Sequence, residues 1–256
     1  MRIAITRGVS PAIVRCELSH LARDPIDVAR AEAQHEAYEA ALRELGCEVR
    51  RIPVAPDLPD SVFIEDTAIV LDEMAIITRP GAESRRSETA AVADALAPLR
   101  TLVRLRAPGT LDGGDVLRIG RTLYVGRTAR SNDDGIAQVR DAVSACGYRV
   151  VAVPVEGCLH LKSAVTVVGP GLLLVQPAWV DPAAFDPAFE RVEVDPSEAF
   201  AANALRIGAR VLVAGAFART RRRLEARGID VLAVDVSELG KAEGAVTCCS
   251  LLVEVS

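Results

Sequence analysis

Thr247-Cys248-Cys249-Ser250-Leu251-Leu252-Val253, close to the C-terminus, reads as half of a structural unit: a polar entry followed by a short apolar strand. No second strand or helix follows it. Residues 2–54 supply the missing parts: a strand from Arg2 to Arg7, a helix over 28–45 and a closing strand through Val49, Ile52 and Val54. The helix is expected from apolar or small groups at Val28, Ala31, Tyr38, Ala41, Leu42 and Leu45, with Gly46 as its stop. Pairing the two terminal strands completes one module and removes an exposed edge.

Four modules lie between these fragments, predicted as strand, turn, strand, helix, strand, with the helix short or lost in the third. The first runs from a strand over 62–70 through a second at 75–78 and a helix over 84–96. The second begins at Gly114-Asp115-Val116-Leu117, with a helix near 132–145. The third begins at Lys162-Ser163-Ala164-Val165 and loses its helix among Pro177, Pro182 and Pro187. The fourth begins at Ala202-Asn203-Ala204-Leu205, with a basic helix over 219–226. Taking Asp66, Asp115, Ser163, Asn203 and Ser250 as equivalent gives intervals of 49, 48, 40 and 47 residues, the short one belonging to the module without a full helix. The expected fold is α/β: a single domain over 1–256, a ring of five ββαβ repeats closed by the N- and C-terminal strands.

A chain of 256 residues can bury one large core. With 4% aromatics and 50% hydrophobic residues, that core must be built from Ala, Val, Leu and Ile. A net charge of -5 excludes the basic footprint that nucleic acids require, and no apolar run approaches the roughly 20 residues of a membrane span. No secretory signal is read at the N-terminus, so a cytoplasmic protein with six reduced cysteines is expected. A small molecule is the expected partner, and a homodimer is left open.

In such a ring the entry of each first strand would face a common cavity. Those entries hold Asp60, Phe63, Glu65 and Asp66, then Asp112 and Asp115, then His160 and Lys162, then Asn203, then Cys248 and Cys249. A nucleophilic cysteine needs a partner that creates or stabilises its thiolate. His160 sits at an equivalent position, whereas His20 falls in a loop and His35 inside a helix. Asp112, in Leu111-Asp112-Gly113-Gly114-Asp115, is the natural orienting carboxylate. Cysteine, histidine and aspartate are also metal ligands, but no characteristic ligand spacing is present, and neither a metal nor a cofactor is expected. Glu65 and Asp66, in an apolar segment, call for a cationic partner: a substrate group or a distant arginine.

With these residues in view, the chain resembles the dimethylarginine dimethylaminohydrolases of the guanidino-group-modifying (pentein) superfamily. The resemblance rests on Phe63-Ile64-Glu65-Asp66-Thr67-Ala68, Ser84-Arg85-Arg86, Leu111-Asp112-Gly113-Gly114-Asp115, Leu159-His160-Leu161-Lys162-Ser163 and Thr247-Cys248-Cys249-Ser250. It implies a five-bladed α/β propeller of pseudo-fivefold symmetry. It also implies hydrolysis of an N-methylated arginine to citrulline and an amine through a covalent thiouronium on Cys248. His160 would act as acid and then base, supported by Asp112, and Cys249 would be packing. Glu65 and Asp66 would hold the guanidinium, and Arg85 and Arg130 the carboxylate. Asp60 with the main chain of Leu18 and Ala242 would take the amino group, beside Phe63 and under a lid of residues 16–25. Arginine deimination, amidinotransfer and silent arginine binding are the alternatives on the same residues.

Overall fold

The computed structural model describes residues 1–255 and contains five three-stranded sheets of one design. In each, the middle strand pairs parallel with the strand after it and antiparallel with a third, which is the strand before it in four sheets and the C-terminal strand in the fifth. The N-terminal strand β1 (Arg2–Arg7) is the middle strand of its sheet, flanked by β2 (Cys47–Ile52) and by the C-terminal strand β15 (Ser250–Glu254). The register Ile3 to Val253 and Ile5 to Leu251 joins the chain ends as the half-modules required.

The other sheets follow in chain order. They are β3 (Ala68–Val70), β4 (Met74–Ile77) and β5 (Thr101–Arg104); β6 (Val116–Ile119), β7 (Thr122–Arg127) and β8 (Arg149–Pro154); β9 (Val165–Gly169), β10 (Leu172–Val175) and β11 (Glu190–Glu193); and β12 (Ala204–Ile207), β13 (Arg210–Ala214) and β14 (Asp230–Val234). Helices Val28–Glu44, Thr89–Leu96, Asp133–Ser144 and Ala218–Glu225 make the crossovers that parallel pairing demands. Asp27 and Asn132 cap two of them by accepting N–H bonds from Arg30 and Gly135. Between β10 and β11 only the short 3-10 turn Pro182–Ala184 forms, as the prolines there predict. No helix among the described residues is long and apolar enough to cross a membrane.

Five apolar clusters hold the sheets together, each shared by two modules. Ile3, Ile5 and Val253 meet Ile77 and Leu96. Ile69 and Ile76 meet Leu123 and Val139. Leu117 and Tyr124 meet Val165 and Leu173. Leu174 and Val192 meet Val211 and Leu224. Ile207 and Leu212 meet Ala4, Tyr38 and Leu42.

Two expectations are corrected. Residues 62–70 are not a continuous strand, because a 3-10 turn, Ile64–Thr67, precedes β3 and is closed by the Thr67 hydroxyl donating to Ile64 O at 2.7 Å. Similar turns, Gly113–Asp115, Leu161–Ala164 and Ala199–Ala202, precede β6, β9 and β12. Glu65, Asp66 and Arg85 therefore stand on 3-10 turns, and Asp112 and His160 each immediately precede a helical turn. A turn fans consecutive side chains around its axis, whereas a strand would alternate them between two faces. The helix expected over 84–96 is likewise a 3-10 segment, Glu83–Glu88, followed by an α-helix from Thr89.

Candidate active site

His160 immediately precedes the turn Leu161–Ala164 and is 5% exposed. Its Nε2 lies 3.0 Å from Asp112 Oδ2, and its Nδ1 faces Asp66 Oδ1 at 3.7 Å. Asp112 is fixed in turn: its Oδ1 accepts the Gly81 N–H at 2.9 Å, and its own N–H donates to Ser131 Oγ at 3.1 Å. Asp66 accepts the Gly114 N–H at 3.1 Å and Arg85 Nη1 at 2.6 Å. Burial alone would lower the His160 pKa, but Asp66, Asp112 and Asp115 outweigh it and raise it to about 9. Burial would raise Asp66, and His160 and Arg85 reverse this to bring it down to about 2. The ring is thus an imidazolium between carboxylates at neutral pH.

Cys248 sits on the turn before β15, its N–H donating to Ala245 O at 3.2 Å and its carbonyl accepting the Glu65 N–H at 3.1 Å. The residue is half-buried and lines the same cleft as His160 and Asp66. Burial, then Glu65 and Asp66, push its thiol up to about 12, so it rests protonated. Cys249 turns the other way, fully buried in the core with Tyr38 and Leu42. All six cysteines are free.

Asp60, Phe63, Arg85, Arg130 and Ala242 also line this narrow cleft. Glu65 is absent from this wall. It accepts Lys162 Nζ and, at 2.7 Å, the Thr247 hydroxyl, and all three line a cavity behind the cleft. Arg85 is buried and engaged on nearly every donor: Glu88 takes Nε and Nη2, Asp66 takes Nη1, and Nη2 reaches the carbonyls of Phe63 and Asp60. Arg130 makes one side-chain bond, from Nη2 to Ser19 Oγ at 3.0 Å. Leu18 packs on the core instead of lining the cleft, and its neighbour Glu17 takes that place, its N–H donating to Asp60 Oδ2 at 3.2 Å.

Glu88 and Glu243 were not singled out in the sequence, and Lys162 and Asp115 were placed among the cavity-facing entries without a role in the chemistry. Glu88 anchors Arg85, a partner legible only as three-residue spacing within the Glu83–Glu88 turn. Lys162 neutralises Glu65. Asp115 lies behind His160. Glu243, at φ 59°, accepts N–H bonds from Ser19, His20 and Leu21 and so ties down the 16–25 segment. Nothing in the local sequence announces that last contact, which spans more than 220 residues. A larger apolar cavity, bounded by Phe200 and Phe217, adjoins the cleft across Leu159, Glu243 and Gly244.

Asp66, Asp112 and His160 bring one ligand-type atom each within 4.8 Å of one another. Both ring nitrogens already face carboxylates and Arg85 bonds Asp66, so side chains supply the positive charge that a cation would otherwise bring. A thiol and an imidazolium thus share one acidic cleft, an arrangement chemically suited to attack on a cationic, planar carbon.

The family model described as "N,N dimethylarginine dimethylhydrolase, eukaryotic" matches residues 20–254. An N(G),N(G)-dimethylarginine dimethylaminohydrolase of Streptomyces coelicolor is 44% identical over 249 residues, covering 97% of this chain and 95% of its own. That of Pseudomonas aeruginosa is 35% identical over 235 residues, covering 91% of each. The solved structure of a cysteine-to-serine variant from Pseudomonas aeruginosa, complexed with citrulline, superposes with a TM-score of 0.91 at 32% identity, over 97% of this chain and 98% of its own.

Proposed function

The chain belongs to the dimethylarginine dimethylaminohydrolase family, and we infer that it hydrolyses N-ω-methylated arginine to citrulline and dimethylamine or methylamine. The observation that carries the catalytic assignment is the meeting of Cys248, His160 and Asp66 in one cleft, with Asp112 bonded to the far side of the imidazole.

The substrate guanidinium lies against Asp66, with Glu65 behind it, and its charge offsets the field that holds the Cys248 proton. That proton leaves to water, since His160 already carries its own. The thiolate sulfur bonds to the guanidinium carbon, and the bond from that carbon to the methylated nitrogen breaks as His160 gives its proton to the departing amine. The neutral imidazole then takes a proton from water. Hydroxide adds to the thiouronium carbon, the C–S bond breaks as the added hydroxyl's proton passes to the departing sulfur, and citrulline leaves with the Cys248 thiol restored. Asp112 holds the ring in orientation through both protonation states.

Arg130, with a largely uncommitted fork, is the principal anchor for the substrate carboxylate, and Arg85 adds what its Nη1 retains after bonding Asp66. Asp60 and the main chain of Leu18 and Ala242 take the amino group, and Phe63 walls the alkyl chain. The five modules form a single closed propeller, a reading supported by the paired chain ends and by five clusters that each join two successive modules around the circuit. Six free thiols favour a reducing, cytoplasmic setting.

Mass analysis of products from a panel of arginine derivatives tests the reaction. Citrulline with dimethylamine is expected. Ammonia from unmethylated arginine as the main product, or transfer of an amidino group to an added amine, would replace this reading by deimination or amidinotransfer.

A further inference from the structure

Asp115 does not line the cleft and is wholly buried. Its Oδ1 accepts the N–H of Leu161, the first residue of the turn behind His160, at 2.9 Å. Its Oδ2 accepts the hydroxyls of Thr128 at 2.7 Å and Ser131 at 2.6 Å. These two residues flank Arg130, and the Thr128 hydroxyl also accepts the Arg130 N–H at 3.1 Å. The Ser131 hydroxyl accepts the N–H of Asp112 at 3.1 Å. One carboxylate therefore ties together the segments that carry His160, Arg130 and Asp112.

All of these donors are neutral. No arginine or lysine among the described residues bonds Asp115, although a carboxylate buried without a cation is costly and an asparagine could serve as a mere acceptor. Burial raises Asp115 to about 6, which leaves it ionised at neutral pH, and its bond to the Leu161 N–H sets that charge behind His160, whose imidazolium is the cation it acts on. Gly126 seals the other side, since a Cβ there would stand 2.6 Å from Asp115 Oδ1.

We propose that Asp115 is a positioning residue of this active site, fixing the His160 turn and the Arg130 loop in one register and adding its negative charge to the field on His160. The proposal rests on the reading of His160 as the acid–base group. The other charged or titratable groups around that residue are Asp66 and Asp112 at the ring, Arg85 behind Asp66, Cys248 across the cleft, and Cys158, whose thiol donates to the His160 carbonyl.

The test is an ¹⁵N NMR titration of the His160 ring in the full chain, compared between the wild type and Asp115→Asn. With the charge gone and the volume kept, the His160 pKa is expected to fall by about one pH unit. An unchanged titration overturns the electrostatic part. Ser131→Ala keeps the charge and cuts the tie to the Arg130 loop and Asp112. It is expected to raise KM for dimethylarginine several-fold while the His160 titration stays in place, and an unchanged KM overturns the positioning part. Should Asp115→Asn fail to fold, Ser131→Ala decides the positioning part and a ¹³C titration of the wild-type Asp115 carboxyl decides the electrostatic part: a second step at the His160 midpoint supports the coupling, and none overturns it. The titration needs no turnover, so a wrong substrate assignment would leave it interpretable.

Discussion

Glu65 and Asp66 share a peptide bond and line different cavities: Asp66 faces the cleft of Cys248, and Glu65 faces the space behind it, held by Lys162. Both carboxylates are buried, and each has its own cation, Lys162 for one and Arg85 with His160 for the other. Lys162→Met is expected to strand the Glu65 charge and to destabilise the fold by about 3 kcal/mol. Combining it with Glu65→Gln should recover part of that loss, read as the midpoint of urea unfolding. Equal midpoints for wild type and Lys162→Met would show that the pair carries no stability.

Cys248→Ser is expected to abolish citrulline formation. Cys249→Ser buries a hydroxyl in an apolar core, at a cost of about 1–3 kcal/mol, and should leave most of the activity at 25 °C. The converse result, activity lost only with Cys249, would reassign the nucleophile.

His160 keeps its proton up to about pH 9 in the fold, against about 6.5 in the unfolded chain. A raised pKa contributes stability that is fully present below about pH 6.5 and is lost as pH rises through about 9. On the proposed role of His160 as acid, kcat/KM is expected to show a basic limb near the same value, because kcat/KM reports the groups of the free enzyme. Asp112→Asn removes a charge bonded at Nε2, so the limb should move to lower pH by about 1–3 units and kcat should fall about 100-fold or more. A pH–rate profile superimposable on the wild type would remove Asp112 from the mechanism.

Gly113 and Gly114 separate two kinds of crowding. A Cβ on Gly114 would stand 2.6 Å from His160 Nδ1 and 2.8 Å from Asp66 Oδ1, both side-chain atoms that can shift. A Cβ on Gly113 would stand 2.0 Å from the carbonyl oxygen of Glu65, which cannot move without its turn. Gly114→Ala is therefore expected to lose activity with about 1 kcal/mol of stability, and Gly113→Ala to lose about 3 kcal/mol. Calorimetry alongside an activity assay checks the order.

Glu243 gathers three consecutive backbone N–H groups of the 16–25 segment from a left-handed backbone conformation. Glu243→Ala is expected to release that segment, raise KM several-fold and speed hydrogen exchange at Ser19, His20 and Leu21. Exchange as slow as in the wild type would mean that the segment is held by its other contacts.

Periodicity carried the module order because burying one face of a strand or helix leaves a local record, and the third module's missing helix was legible in its prolines. The extended reading of 62–70 failed for a local reason. Glu65, Asp66 and Thr67 have no alternating pattern, and the Thr67 hydroxyl closes a turn that apolar neighbours do not reveal.

The sequence by itself determined the repeated ββαβ module, the pairing of the chain ends and the residue types that meet: thiol, imidazole, carboxylates and guanidinium groups. Only the tertiary structure decided how they divide. It sent Cys248 to the cleft and Cys249 to the core, committed most of Arg85 to Glu88 and Asp66, gave Glu65 to Lys162, and placed Asp115 behind His160. The physical reason is that a buried charge must find its partner in space. Helical turns packed side by side choose that partner across intervals that in one case reach 97 residues, a distance over which local sequence patterns carry no signal.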